Sequence, residues 1–201
     1  MKNFFIYNFI YFFMLVFQLT LTEALFANAG DFEFIVKGYI DLPGKAYIDN
    51  THSYHKDIKM GFSLGCELLK YKRDMFGFGI GALYQFPREA DEFDSHGKFS
   101  FMPIYGMLKV NFSGRHANPF CVVHYGYNFL MGDDDFKKDT ELRGGHYFSI
   151  GGGVKLKWSI VIEFLYSIHW GGRTRDVNGS KYDLDALYRK FAMSIGYAYG
   201  F

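Results

Sequence analysis

The stretch Tyr188-Arg189-Lys190-Phe191-Ala192-Met193-Ser194-Ile195-Gly196-Tyr197-Ala198-Tyr199-Gly200-Phe201 decides the fold class of this 201-residue chain. From Phe191 onward the odd-numbered residues are large and apolar, and the even-numbered ones are Gly, Ala or Ser. Side chains of a strand alternate between its two faces, so the segment predicts a strand with one apolar face and one face of small residues. Small residues suit the crowded interior of a barrel whose apolar face meets lipid better than they suit open solvent.

Seven further segments with the same alternation precede this one. Strands that cross a membrane need only ~9–11 residues each, and all of these segments are long enough. The predicted strands are 32–41, 58–69, 75–86, 99–112, 120–131, 146–156, 160–170 and 188–201. The sequence therefore predicts an all-β fold, an eight-stranded antiparallel up-and-down transmembrane β-barrel.

The predicted connections alternate between long and short. The long polar ones cover 42–57, 87–98, 132–145 and 171–183, and the short ones cover 70–74, 113–118 and 157–159. Outer-membrane barrels have this layout, with the long loops outside the cell. The three-residue turn keeps the apolar sets of its two strands on one side. In that register Leu156 faces Ile160, and Glu163 faces Gly153 and lies diagonal to Lys155, within reach of an ion pair.

The first residues have the plan of a secretory signal peptide. Lys2 supplies a positive charge, an apolar segment runs from Phe4 to Phe17, and Ala27-Asn28-Ala29 forms a small-x-small cleavage site. We expect residues 1–29 to be cleaved and residues 30–201 to form the barrel. A retained membrane anchor is the alternative, which Glu23 and the cleavage site disfavour.

The bulk composition excludes some partners. A formal net charge of +1 gives no basic surface for nucleic acid. The two cysteines are too few for a disulfide framework, and Cys66 and Cys121 fall on the apolar faces of non-adjacent strands. We expect free thiols that behave as small apolar residues. No cofactor is expected, and the chain is expected to be a monomer.

Aromatic residues stand at the ends of the predicted strands. Outer-membrane barrels carry aromatic girdles at both water–lipid interfaces. Strand propensity alone also favours aromatic residues, but not specifically at strand ends. The predicted girdle consists of Tyr84, Phe86, Phe112, Trp158, Trp170 and Tyr199.

Several segments carry a family resemblance that covers the whole predicted mature chain. The main ones are Met102-Pro103-Ile104-Tyr105-Gly106-Met107-Leu108-Lys109-Val110-Asn111-Phe112, Asn118-Pro119-Phe120, Tyr125-Gly126-Tyr127-Asn128-Phe129, Ile150-Gly151-Gly152-Gly153-Val154 and the terminal stretch 196–201. The chain resembles the small outer-membrane β-barrel family that includes the OmpX and Ail proteins and the membrane domain of OmpA.

The resemblance implies a location and several partners. It implies an integral protein of the bacterial outer membrane, in contact with outer-membrane lipids, lipopolysaccharide and the outer-membrane assembly machinery. Ser194, Gly196, Tyr199 and Phe201 resemble the C-terminal assembly signal of such proteins. Members of the family are structural proteins, adhesins, serum-resistance factors or narrow channels, and the long loops are where host or surface ligands would bind.

Charged residues of both signs fall on the inward faces. A charge away from water must be paired or hydrogen-bonded, and an eight-stranded barrel has room only for side chains or one small ligand. We expect a closed interior filled by ion pairs, with a narrow pore or transporter as the alternative. The predicted polar network consists of Glu33, Lys37, Lys59, Glu67, Lys109, His124, Lys155, Glu163 and His169.

The sequence gives less support to an enzyme or a metal-binding protein than to a non-enzymatic barrel. Ser167 and His169 share a face and could act as nucleophile and base, but they fall on the inward set, and no third orienting residue is evident. His52 and His55 near Asp49 or Asp57, and the run 133–135, lack the ligand geometry of a dedicated metal site. We expect a non-enzymatic barrel with no catalytic, cofactor or metal residues, and a structural or loop-mediated adhesive role. An enzyme that modifies outer-membrane lipid is the remaining alternative.

Overall fold

A computed structural model of the chain describes residues 32–49, 54–72, 75–89, 98–114, 117–133, 140–177 and 180–201. The predicted signal peptide, residues 1–29, lies outside these ranges. Among the described residues no helix is long and apolar enough to cross a membrane.

The described elements are strands. Their bounds are β1 Phe32–Asp41, β2 Gly44–Asp49, β3 Tyr54–Ile58, β4 Gly61–Lys72, β5 Phe76–Gln85, β6 Arg88–Glu89, β7 Lys98–Asn111, β8 Ala117–Gly132, β9 Thr140–Leu156, β10 Ile160–Val177 and β11 Ser180–Gly200.

Eight of these strands form a closed antiparallel barrel in the order β1-β4-β5-β7-β8-β9-β10-β11. Closure occurs where β1 pairs with β11, from Glu33 opposite Gly200 to Asp41 opposite Ala192. Beyond the last rung, the backbone N–H of Phe201 donates to the carbonyl of Phe32 at 3.0 Å. The predicted fold class is confirmed, and the terminal strand that indicates it is also the strand that closes the barrel.

The two ends of the barrel differ. One end, called here the terminal rim, holds Phe32, Phe201, the short connection 157–159, the last residues of β4 and β7 and the first residues of β5 and β8. In this connection, Ser159 adopts a φ of 62°, the left-handed conformation that the third residue of such a turn needs. The opposite end, called the loop rim, holds the last residues of β1 and β5, Asp41 and Gln85. The predicted register of the 157–159 hairpin is confirmed, because Glu163 lies opposite Gly153.

The loop rim has more regular structure than the sequence predicts. Residues 42–57 were expected to be a loop, but β2 and β3 form a hairpin whose first strand pairs with β11. Residues 171–183 were also expected to be a loop, but β10 and β11 stay paired as far as Val177 opposite Ser180. The intervening residues are Asn178 and Gly179, a dipeptide that favours two-residue hairpins. As a result, a sheet of β9, β10, β11, β2 and β3 rises beyond the barrel.

The outer face of the barrel is apolar. Burial alternates along β1, and its outward residues Phe34, Val36 and Ile40 are all exposed large hydrophobics. The same holds around the barrel, and Cys66 and Cys121 are free thiols on this face. An exposed surface this apolar is typical of contact with lipid. All six residues of the predicted girdle, Tyr84, Phe86, Phe112, Trp158, Trp170 and Tyr199, have exposed side chains.

The interior is packed with side chains. One buried apolar cluster within the barrel is made of Ile35, Tyr39, Leu69, Leu83, Tyr105, Met107, Phe120, Val122, Tyr147, Val161, Leu165, Ala192 and Ala198. Glycine makes room for the larger rings. A Cβ on Gly81 would lie 2.6 Å from the ring of Tyr105, so a larger residue there would displace that ring. The interior of the barrel is therefore a packed apolar core that also contains buried charged side chains.

Candidate functional site in the barrel interior

The first group of interior charges, called the terminal-side cluster, consists of Glu33, Lys37, Glu67, Lys109, Lys155 and Glu163. Lys37 is at its centre, with its Nζ 2.7 Å from Glu67 Oε2 and 2.9 Å from Glu163 Oε2. These three residues come from β1, β4 and β10, and each is at most 3% exposed. A single cation therefore joins two carboxylates that project from different parts of the barrel wall.

Glu33 extends this cluster towards the terminal rim. Lys155 donates to its Oε2, Lys109 Nζ lies 3.6 Å from its Oε1, and the hydroxyl of Tyr71 donates to the same Oε1 at 2.8 Å. The ammonium group of Lys109 also lies 4.2 Å from the centre of the Phe120 ring. Burying a cation is costly unless it has such partners. The face of the Phe120 ring attracts the ammonium group of Lys109 and so supplies part of the electrostatic stabilisation that a second carboxylate would give.

A tyrosine hydroxyl and a histidine ring also lie around Glu67. The hydroxyl of Tyr105 donates to Glu67 Oε1 at 3.0 Å, and the Tyr105 ring stacks on His124 with centroids 4.5 Å apart. His124 Nδ1 lies 3.0 Å from the hydroxyl of Ser149, and its Nε2 lies 3.9 Å from Glu67. These rings occupy the centre of the barrel, where an open pore would need water.

A second group of charges, called the loop-side cluster, surrounds Asp41 at the opposite end of the interior. Lys190 Nζ lies 2.5 Å from Asp41 Oδ1, and both Arg88 and the hydroxyl of Ser63 donate to Oδ2. Arg88 also donates to the hydroxyl of Tyr188 at 3.0 Å. Asp41 is fully buried, so a single carboxylate holds two cations from β6 and β11 under the loop rim.

A neutral layer lies beside the loop-side cluster. His169 Nε2 is 3.1 Å from Gln85 Nε2, and its Nδ1 is 3.4 Å from Asn128 Oδ1. The His169 ring stacks on Phe101 with centroids 5.2 Å apart. Asn128 also donates to the carbonyl of Trp170 at 3.1 Å, where a bulge interrupts the pairing of β9 and β10. This layer and the two ion-pair clusters occupy successive levels of the interior.

Known structures share this architecture. The chain is similar to the crystal structure of the outer membrane protein OprG from Pseudomonas aeruginosa, with a TM-score of 0.61 and 12% identity over 86% of this chain and 97% of that one. It is also similar to the structure of the outer membrane protein AlkL, with a TM-score of 0.57 and 12% identity over 87% and 92%. The chain has the fold of the small eight-stranded outer-membrane β-barrels. The crystal structure of Ail from Yersinia pestis has the same fold, with a TM-score of 0.51 and 12% identity over 86% and 100%.

Sequence comparisons add no family assignment to this fold. No protein-family model and no curated protein sequence matches the chain. At 12% identity the similar structures establish the outer-membrane barrel fold alone.

Most residues of the predicted polar network lie in the interior of this outer-membrane barrel. Lys59 is an exception: it lies in the link between β3 and β4, and its side chain is exposed. The predicted strand 58–69 begins at Gly61 instead, because residues 54–58 pair with β2, and Lys59 therefore never joins the barrel wall. The residues inside are Glu33, Lys37, Glu67, Lys109, His124, Lys155, Glu163 and His169.

The predicted pairing of Glu163 with Lys155 is wrong, although the register behind it is right. Glu163 pairs with Lys37, and Lys155 pairs with Glu33. Side chains cross the narrow interior, so a partner can come from a distant strand as easily as from the neighbouring one.

The loop-side cluster was missed. Lys190 was detectable, because it is the single cation in the run of small residues on the inward face of the last strand. Arg88 was not detectable, because it falls in a predicted loop and reaches the interior through the two-residue strand β6. A Cβ on Gly61 would lie 2.5 Å from Arg88 Nε, so that glycine makes room for the guanidinium group.

The two candidate catalytic residues lie inside the barrel. Ser167 and His169 are both buried, and His169 contacts neutral amides. For the metal hypothesis, Asp133 accepts a hydrogen bond from the backbone of Lys98 at 2.9 Å, whereas His52 and residues 134–135 lie outside the described ranges. Among the described residues no group of three metal ligands occurs.

The residues of the predicted assembly signal lie in the closing strand. Ser194 and Gly196 point inward, and Tyr199 and Phe201 are exposed on the outer face. The Phe201 ring stacks between Phe32 and Tyr199, with centroid distances of 5.9 and 6.1 Å. Recognition by an assembly machine stays a prediction.

Proposed function

We propose that this chain is a non-enzymatic integral protein of the outer membrane, with a closed barrel that carries an interaction surface at its loop rim. The filled interior is the observation that carries the proposal. Buried ion pairs and stacked rings occupy it from Glu33 at one end to Arg88 at the other. A barrel filled in this way leaves no wide path for solutes, so the proposed function lies outside it.

The surface proposed for interaction is the sheet that rises beyond the barrel. The strands β10 and β11 remain paired for seven residues past Trp170, which corresponds to about 24 Å of strand. By sequence, residues 173–184 hold three cations, Arg173, Arg175 and Lys181, and two carboxylates, Asp176 and Asp183, so this segment has a net positive charge that would favour an anionic partner. Among proteins of this fold, Ail is named the attachment invasion locus protein and has been crystallised with a heparin analogue.

Trimming this hairpin tests the proposal. Bacterial cells that produce the chain are expected to attach to a heparin-coated surface, and cells that produce a variant with a two-residue turn in place of residues 173–184 are expected to lose this attachment. A second variant, Arg173→Gln with Arg175→Gln and Lys181→Gln, keeps the hairpin and removes its cations. If both variants are inserted in the membrane and attach like the original chain, the proposed surface is wrong.

A second candidate function is passage of small apolar molecules sideways into the bilayer. Pairing of β8 with β9 ends at Asn128 opposite Gly145. Beyond this point β8 remains paired with β7, and β9 remains paired with β10. The strands therefore separate next to Leu130 and Leu142. These two side chains pack on a second buried apolar cluster, made of Ala46, Ile58, Phe99, Phe101 and Tyr188. The same cells separate the two candidates, because uptake of an apolar solute that survives trimming of residues 173–184 favours passage over attachment.

A further inference from the structure

Two cations lie side by side on the outer face of the sheet where β2 pairs with β11. Lys45 and Arg189 are directly opposite each other in the pairing of these strands, and both side chains are exposed. Tyr47, two residues along β2, brings its ring to 5.2 Å from the Arg189 guanidinium carbon. The three side chains form a patch that faces away from the barrel axis.

The height of this patch follows from the apolar set of β11. Phe191, Met193, Ile195, Tyr197, Tyr199 and Phe201 are all exposed large hydrophobics. Ten residue steps in a strand tilted by about 40° rise ~25 Å, which is the height of the apolar band of an outer-membrane barrel. Arg189 is the next outward residue, about 5 Å above that band. The patch therefore stands at the level where lipid headgroups begin.

Neither cation of the patch is bound by a carboxylate within the described part of the chain. Like charges directly opposite on neighbouring strands repel each other. Neither Lys45 nor Arg189 forms an ion pair with another described residue. Two carboxylates lie nearby: Asp57 stands opposite Lys45 in β3 without forming an ion pair, and Asp185, four residues from Arg189, is bound to Arg143. A bridging anion would remove the repulsion.

We propose that Lys45, Arg189 and Tyr47 bind the phosphate groups of an anionic lipid in the outer leaflet. The two cations contact the phosphate, and the guanidinium of Arg189 provides planar, bidentate recognition while it stays over the Tyr47 ring. The acyl chains lie along the exposed residues below, beginning with Phe191. This inference rests on the proposed insertion in the outer membrane and adds the class of lipid that the barrel selects.

The test is a titration of the detergent-solubilised chain with diphosphorylated lipid A, followed by native mass spectrometry. Each basic residue near a membrane surface contributes roughly fivefold in affinity, so Lys45→Gln with Arg189→Gln should weaken binding roughly 30-fold. Lys72→Gln with Lys157→Gln is the matched control, because it removes two exposed cations at the terminal rim and should leave binding unchanged. Heat-dependent gel migration verifies folding, and Lys45→Gln alone is the substitute if the double variant does not fold.

Three results would overturn the assignment. In the first, the control variant loses as much affinity for lipid A as the double variant does. In the second, the original chain binds dephosphorylated lipid A as tightly as diphosphorylated lipid A. In the third, inorganic phosphate displaces the lipid at concentrations similar to that of the lipid. The last of these would indicate a free-phosphate site. All three leave the membrane role intact, whereas a chain that fails to insert into vesicles would contradict the proposed function itself.

Discussion

Replacing Asp41 with alanine is expected to lower the free energy of unfolding by about 3–5 kcal/mol, because it leaves two buried cations without their shared counter-charge. Arg88 and Lys190 both bind the Asp41 carboxylate, and the three side chains are almost fully buried. The effect is measured as a shift of the denaturant midpoint of the barrel folded in lipid vesicles.

Asp185→Ala is the matched control for this prediction. Asp185 also binds an arginine, Arg143, but its side chain is 73% exposed. An exposed pair of this kind contributes about 0–1 kcal/mol, so the control should unfold close to the original chain. If Asp41→Ala and Asp185→Ala shift the midpoint equally, the loop-side cluster does not stabilise the barrel in the way described.

Replacing Lys37 with methionine should have an effect of similar size at the other cluster. Lys37 is the cation shared by Glu67 and Glu163, and its loss leaves two buried carboxylates facing each other. Removing one partner of a buried pair costs about 3–5 kcal/mol, mostly because the remaining charge stays unpaired. The denaturant midpoint again reports the change.

Neutralising the stranded carboxylates should restore most of this loss. Lys37→Met combined with Glu67→Gln and Glu163→Gln removes every charge of the triad. No carboxylate of the triad is then left as an unpaired buried charge, which is the main cost of breaking a buried pair. The triple variant should therefore be more stable than Lys37→Met alone. A triple variant that is less stable than the single one would mean that the carboxylates have other cationic partners sufficient to hold them.

Local periodicity accounts for what could be predicted from the sequence. The period of two along β1 places Glu33 and Lys37 inside and Phe34 and Val36 outside, and the structure has them there. The parity of the turn 157–159 is enough to place Glu163 opposite Gly153. These predictions depend only on neighbours along one strand or across one hairpin.

Contacts between residues far apart in the sequence could not be predicted in this way. Lys37 reaches Glu163 past the intervening strand β11 and over 126 residues of sequence. Lys190 reaches Asp41, which lies diagonal to it on the neighbouring strand β1, over 149 residues. Such pairs depend on how the barrel closes, on the length of the side chains and on the height of each residue along the barrel axis. The alternation of residues along one strand carries no information on these properties. The predicted pair of Lys155 with Glu163 failed for this reason.

Composition misled the reading of the loop rim. Residues 42–57 and 171–183 are polar and were therefore interpreted as loops, yet residues 44–49 and 171–177 are paired strands. Beyond the bilayer a strand has water on both faces, so it loses the apolar alternation that marks the membrane-spanning part. The dipeptide Asn178-Gly179 was the one local signal of a hairpin there.

The central claim is that side chains close the interior of this barrel, and single-channel recording in planar bilayers tests it most directly. The claim predicts that the purified, folded chain gives no steady conductance above that of the bare bilayer, because the clusters around Lys37 and Asp41 and the rings between them occupy the path. A steady, large conductance from the folded wild-type chain would contradict it.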